Sequence, residues 1–225
     1  MVTLTQARPE SPRYTPAPQF DDLSGHAHRQ LIGYIGLAMP LLLVLIAALR
    51  PIEGFRRWEL LDSISAYYYS GSVAVFVGLL VALALFLFTY RGYENKYHWL
   101  DRAAAVTAGF AALGVAFFPT RAPEGIPAPG WWTEAAGVLH YASAIVLFTM
   151  FAVFSLWLFR RSAQGEQPDP DKIRRNRIFL ACGLVIVGSM IWAGVNGAAD
   201  RPIFMPESIA LIAFAVSWLV KGYAL

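Results

Sequence analysis

Residues 73–90 read VAVFVGLLVALALFLFTY, a run without a single charge. That length is close to the roughly 20 mostly apolar residues needed to cross a hydrocarbon core about 30 Å thick, so the stretch reads as a membrane span. Working outward from it, further segments of the same kind lie near 31–49, 102–118, 135–159, 178–196 and 207–221, and the quoted run extends to 72–90 as the second span. The whole chain agrees, because 57% of its 225 residues are hydrophobic and 15% charged, too little charge to solvate a soluble domain of that size. The sequence predicts an all-α polytopic membrane protein, a six-transmembrane-helix bundle forming one domain over residues 30–225.

The first twenty residues, MVTLTQARPESPRYTPAPQF, are polar and rich in proline, and the stretch 1–29 is expected to be a disordered tail. They lack the charged-then-apolar order of a cleavable signal peptide, so the first span is expected to stay as an uncleaved anchor. Placing that tail in the cytoplasm puts Arg8, Arg13, Arg29, Arg91, Lys96, Arg102, Arg160, Arg161, Lys172, Arg174, Arg175, Arg177 and Lys221 inside. Arg50, Arg56, Arg57, Arg121 and Arg201 are left outside, an asymmetry that follows the positive-inside rule and predicts two cytoplasmic termini in the plasma or inner membrane. The net charge of +3 is thus spread over span ends rather than gathered in one patch, and nucleic acid is not an expected partner. Most of the bias sits in RRSAQGEQPDPDKIRRNR, residues 160–177, which reads as a solvated linker.

Just before the quoted run stands ELLDSISAYYYSGS, residues 59–72. Its three tyrosines are expected to form part of an aromatic belt at the headgroup level, with Trp58, Trp131, Trp132 and Trp192 at the same end and Tyr90, Tyr93, Trp99, Trp157, Trp218 and Tyr223 at the other. The third span repeats Ala104, Ala108, Ala112 and Ala116 every fourth position, a small-residue face that allows close helix approach and predicts a central helix. Small faces of this sort also make a homo-oligomer an expected arrangement. Pro40 should kink the first span or be compensated by its neighbours.

With this topology, three external segments bring Glu59, Asp62, Ser63, Ser65, Arg121, Glu124, Glu134, Asn196, Asp200, Arg201 and Glu207 to one mouth, and of these Asp62, Ser63, Ser65, Asn196 and Glu207 stand out, with Tyr67, Tyr68 and His140, the only histidine inside a predicted span. These are the candidate ligand-binding residues, for a lipid headgroup or small amphiphile. Asp62 and Glu207 could equally cap helices, and His140 could simply bond a backbone carbonyl of a neighbouring helix. A catalytic reading takes Ser65 as nucleophile, His140 as base and Asp62 as orienting acid, which requires the hydroxyl within hydrogen-bond reach of the imidazole. No G-x-S-x-G elbow, Walker or Rossmann pattern supports it. Cys182 is the single cysteine and His140 the single histidine within a predicted span, so disulfides, zinc sites and bis-histidine haem within the membrane are not expected, and no metal or cofactor is assigned.

SISAYYYS at 63–70, VFVGLLVALALFLFTYRGYE at 75–94 and PESIALIAFAVSWLVKG at 206–222 together resemble a family of uncharacterised bacterial multi-pass membrane proteins that carries S-I-S-A-Y-Y before V-F-V-G and a final S-W-L-x-K-G. The resemblance implies a six-span fold and marks Asp62, Ser63, Ser65, Tyr67, Tyr68, Gly78, Glu207, Lys221 and Gly222, without implying an activity. The family pattern has a histidine and an Arg-Asp pair where this chain has Tyr69 and Val73-Ala74. A remote likeness to membrane hydrolases related to alkaline ceramidase rests on a Ser and an Asp near one span and a His in another. The expected function is an outward-facing polar vestibule that binds a lipid headgroup or amphiphile. The alternatives are a lipid ester or amide hydrolase using Ser65, His140 and Asp62, and a small-solute or proton-coupled transporter.

Overall fold

A computed structural model describes residues 20–54, 56–92, 98–161 and 169–223. Its helices are α1 (Phe20–Leu49), α2 (Val73–Thr89), α3 (His98–Phe117), α4 (Glu134–Leu156), α5 (Pro170–Ala198) and α6 (Phe204–Tyr223). A short 3-10 turn at Ser65–Tyr69, here called the tyrosine turn, precedes α2, and a second one at Leu158–Arg160 follows α4. No strand occurs among the described residues. Five of the helices are long and apolar enough to cross a membrane, and α2 is a shorter apolar helix of the same character. At about 1.5 Å per residue α2 measures roughly 26 Å, a little under the hydrocarbon thickness.

The helices overrun the apolar runs that announce them. α1 begins at Phe20, so the expected tail of residues 1–29 ends in helix, while residues 1–19 lie outside the described residues. α5 begins at Pro170 rather than near 178, which makes part of the charged linker a helical extension; residues 162–168 of that linker lie outside the described residues. The local reason is a strong start signal. The Asp169 carboxylate accepts the Lys172 N–H at 2.6 Å, and Pro170 follows at the first helical position, where its missing N–H is no loss. α1 runs unbroken through Pro40.

Sequence neighbours are spatial neighbours around the bundle, each helix packing on the next, and the ring is closed by α6 against α1. α3 packs on α2 and α4 alone among the stronger contacts of the described residues. The expectation that α3 occupies the middle is therefore corrected: its small face does pack tightly, with Ala105, Ala108 and Ala112 fully buried, but against α2 and α4 on either side while Phe110 points outward. Of the five long helices α6 is the most buried and α5 the least. The α1–α6 seam is close because Gly33 leaves room: a Cβ there would lie 2.7 Å from Leu219 Cγ and 3.0 Å from the Ala215 carbonyl.

The core at the end opposite the tyrosine turn is aromatic. The Trp218 ring lies 5.0 Å from Tyr90 and 5.2 Å from Phe154 in edge-on contacts, and Phe151 stacks on Phe214. Trp218 and Tyr90 are thus packed inside, not in the interfacial belt expected of them, whereas Trp99, Trp157 and Tyr223 are exposed as a belt requires. A buried Ser155–Ser217 hydroxyl pair at 2.9 Å ties α4 to α6.

Candidate functional site at the tyrosine turn

α3 stops at Phe117 because Pro119 cannot donate to continue the helical ladder. The carbonyls of Phe118, Pro119 and Thr120 are left beyond the helix without partners in its own ladder. Each receives one from a different part of the chain. His140 Nδ1–H donates to Phe118 O at 2.6 Å, Trp132 Nε1–H to Pro119 O at 3.0 Å, and the Tyr69 hydroxyl to Thr120 O at 2.5 Å.

That first bond fixes the imidazole. A carbonyl only accepts, so Nδ1 carries the proton and, in the neutral ring, Nε2 is the acceptor. The acceptor faces Ser65, whose Oγ–H donates to it at 2.8 Å. Both groups are deeply set, His140 at 1% exposure and Ser65 at 7%. A hydroxyl, an imidazole and an orienting acceptor therefore stand in line, which is the geometry that general-base activation of a serine requires. The acid of the expected triad is absent from it. Asp62 is exposed, and both ring nitrogens of His140 are already occupied, by Ser65 and by the Phe118 carbonyl.

Asp62 acts through its backbone. Its carbonyl accepts the N–H groups of Ile203 and Phe204 at 2.6 and 2.8 Å, while Glu207 Oε2 accepts the Ile64 N–H at 2.6 Å, so the tyrosine turn is stitched to the start of α6. The remaining candidates are mostly engaged nearby. Ser63 Oγ accepts the Ala66 N–H, the Tyr67 hydroxyl accepts the Leu61 N–H at 3.4 Å, and Asn196 Nδ2 donates to Pro202 O. Tyr67 is wholly buried against Phe204, and Tyr69 is 7% exposed, which corrects the expectation that the three tyrosines form a lipid-facing belt; Tyr68 alone stays half open. Burial pushes the Tyr67 hydroxyl above its ordinary pKa, and pushes Tyr69 up to about 12, with Tyr68 adding to the latter.

Two clefts lie at this end among the described residues. One, of about 500 Å³, lies between Ile52, the turn residues Tyr68 to Ser70 and the loop residues Ile126 and Pro127. Another, of about 460 Å³, is an apolar groove between α4, α5 and α6 with Glu207 among its lining. Neither Ser65 nor His140 lines either of them. Among the described residues no group of three or more His, Cys, Asp or Glu side chains is placed to hold a metal ion.

Trp132, the three carbonyls and the Phe118 role in particular carry no residue-type signature, so reading side chains for chemistry passes over them. The available signal was the helix stop in FFPT, residues 117–120, which announces unpaired carbonyls that something must satisfy.

Six apolar helices closed into a ring, with a polar turn knitting one end, define a polytopic membrane protein. The chain belongs to the family described as protein of unknown function (DUF998), whose model matches residues 62–217. The match runs from the tyrosine turn to the aromatic core of α6, and an uncharacterised multi-pass family is what the sequence resemblance implied. No curated protein and no solved structure matches the chain.

Proposed function

We propose that this protein binds a lipid or small amphiphile at the end of the bundle that carries the tyrosine turn, and that this end faces out of the cell. The observation that carries the reading is the groove between α4, α5 and α6. Its volume of about 460 Å³ lies within the range of small-molecule sites, its walls are apolar, and its polar group stands at the end where lipid headgroups would lie. The outward direction rests on the Lys and Arg asymmetry, which puts both termini in the cytoplasm of a cell with this protein in its plasma or inner membrane. Native mass spectrometry of protein released from lipid nanodiscs tests the binding. Retention of a lipid through activation that strips the annular shell is expected, and complete delipidation without any retained adduct would refute it.

A second reading, hydrolysis of a lipid ester or amide, is favoured by one distance, the 2.8 Å between Ser65 Oγ and His140 Nε2. In it, His140 takes the Ser65 proton as the hydroxyl attacks the ester or amide carbon, then gives that proton to the departing alcohol or amine as the C–O or C–N bond breaks. A water activated by the same imidazole then hydrolyses the acyl-Ser65 to release the acid and restore the hydroxyl, with the Phe118 carbonyl in the place that Asp62 was expected to fill. Against it stands burial, because a nucleophile must be reached. A fluorophosphonate probe decides between them: labelling that disappears in Ser65→Ala would make the enzyme reading the stronger one. Transport, the third expectation, has only Pro40 inside α1 behind it.

A further inference from the structure

The groove's shape and its one acid specify a ligand more closely than amphiphile. Its floor is made of missing side chains: Ala193, Gly194 and Gly197 on α5 face the groove, and a Cβ added at either glycine would meet nothing within 4 Å. Phe148 and Ser189 mark the inner end, Glu207 and Gly197 the outer. From Ser189 to Gly197 is about 12 Å along the helix at ~1.5 Å per residue. A trough of that length, open between spans, seats the head-proximal part of one acyl chain lying parallel to them. At its outer end the Glu207 carboxylate spends Oε2 on the Ile64 N–H, and Oε1 makes no hydrogen bond among the described residues.

We infer that this groove is a lipid site that seats one acyl chain on the Gly194–Gly197 floor and reads the headgroup through Glu207, selecting a head that carries a primary ammonium. The carboxylate decides the class. It accepts hydrogen bonds and favours positive charge, which an ammonium with N–H donors satisfies twice. A quaternary ammonium satisfies the charge alone. A phosphoglycerol head brings hydroxyl donors with a net negative charge that the carboxylate repels. The inference rests on the amphiphile reading above and adds to it the place of the tail and the chemistry of the head.

Competition in native mass spectrometry between lysophosphatidylethanolamine, lysophosphatidylcholine and lysophosphatidylglycerol of identical acyl chain tests both additions. The wild type should prefer the ethanolamine lipid by about tenfold, the scale of a charge-assisted hydrogen bond. Glu207→Gln keeps an acceptor for the Ile64 N–H but removes the charge, and should bring the three lipids to near equality. Gly194→Leu fills open space in the trough and should abolish retention of all three, whereas Gly188→Leu, which also meets nothing within 4 Å but lies outside the groove lining, should leave binding unchanged. Leucine is the better helix former, so both variants are expected to fold. Unchanged retention in Gly194→Leu removes the groove as the site. Retention lost in Gly194→Leu with no head preference in the wild type overturns the Glu207 selectivity while the amphiphile reading stands. Loss of a dimer, instead of a lipid, in Gly194→Leu shows that a second copy covers the groove and overturns the inference outright.

Discussion

His140 is the residue on which most of this site turns, and its two hydrogen bonds make a prediction of size. An interhelical bond in a membrane bundle averages about 0.6 kcal/mol, but His140→Ala removes two, taking the partner from the part-buried Phe118 carbonyl and leaving the Ser65 hydroxyl buried without its acceptor. The expected loss is about 1–3 kcal/mol, read as a lower melting temperature in detergent, with Ser65→Ala costing about half as much or less. Equal effects of the two substitutions would mean that the Phe118 bond contributes nothing. Tyr69 supplies a pH test outside the spans. Its hydroxyl titrates at about 12 in the folded protein, above the ordinary tyrosine value of about 10, so folding favours the neutral phenol. That contribution is fully present below about pH 10 and is lost as the pH rises toward 12. The melting-temperature gap between wild type and Tyr69→Phe should accordingly narrow between pH 8 and pH 11, and a gap that widens would contradict the assignment. The residue types Ser65 and His140 could be picked out from the sequence as a pair worth testing. The partner that orients the imidazole could not, because a backbone carbonyl looks the same at every position until a helix stop exposes it.

At the scale of the helices, apolar runs located all six, while the overrun of α5, set by Asp169 and Pro170, hides in a stretch that reads as a charged linker. Hydropathy reports which residues leave water; it does not report whether they face lipid or another helix, since lipid tails are as apolar as leucine. For that reason Trp218 and Tyr90 read as belt residues and are core residues, and the small face of α3 reads as central when it packs on two flanking neighbours. The space around glycines separates the two environments experimentally. Gly33→Val would drive a side chain into Leu219 and the Ala215 carbonyl and should destabilise by about 1–3 kcal/mol. Gly78→Val, in the middle of α2 with nothing within 4 Å of its added Cβ, should be close to neutral in the same melting assay. If both behave alike, the α1–α6 seam is looser than these distances require.

For the whole molecule, orientation is the quantity from which the outer site takes its meaning. Single cysteines introduced at Glu124 and at Ser162 in intact cells should differ, the first reacting with an impermeant maleimide and the second protected until the cells are opened. The reverse pattern would move the groove and the tyrosine turn to the cytoplasmic face, and with them the leaflet that supplies any lipid. The closure of the ring by its first and last helices has a further consequence, which concerns biosynthesis. The Gly33 face of α1 is shaped for α6, yet α6 leaves the ribosome only after the four helices between them. At synthesis rates of about 5–20 residues per second, α1 waits in the bilayer for roughly 10–35 s with its seam open. A chain that ends before α6 keeps that seam open for good, and two such chains, or a chain and a separately made α6, are what the vacant surface is shaped to capture.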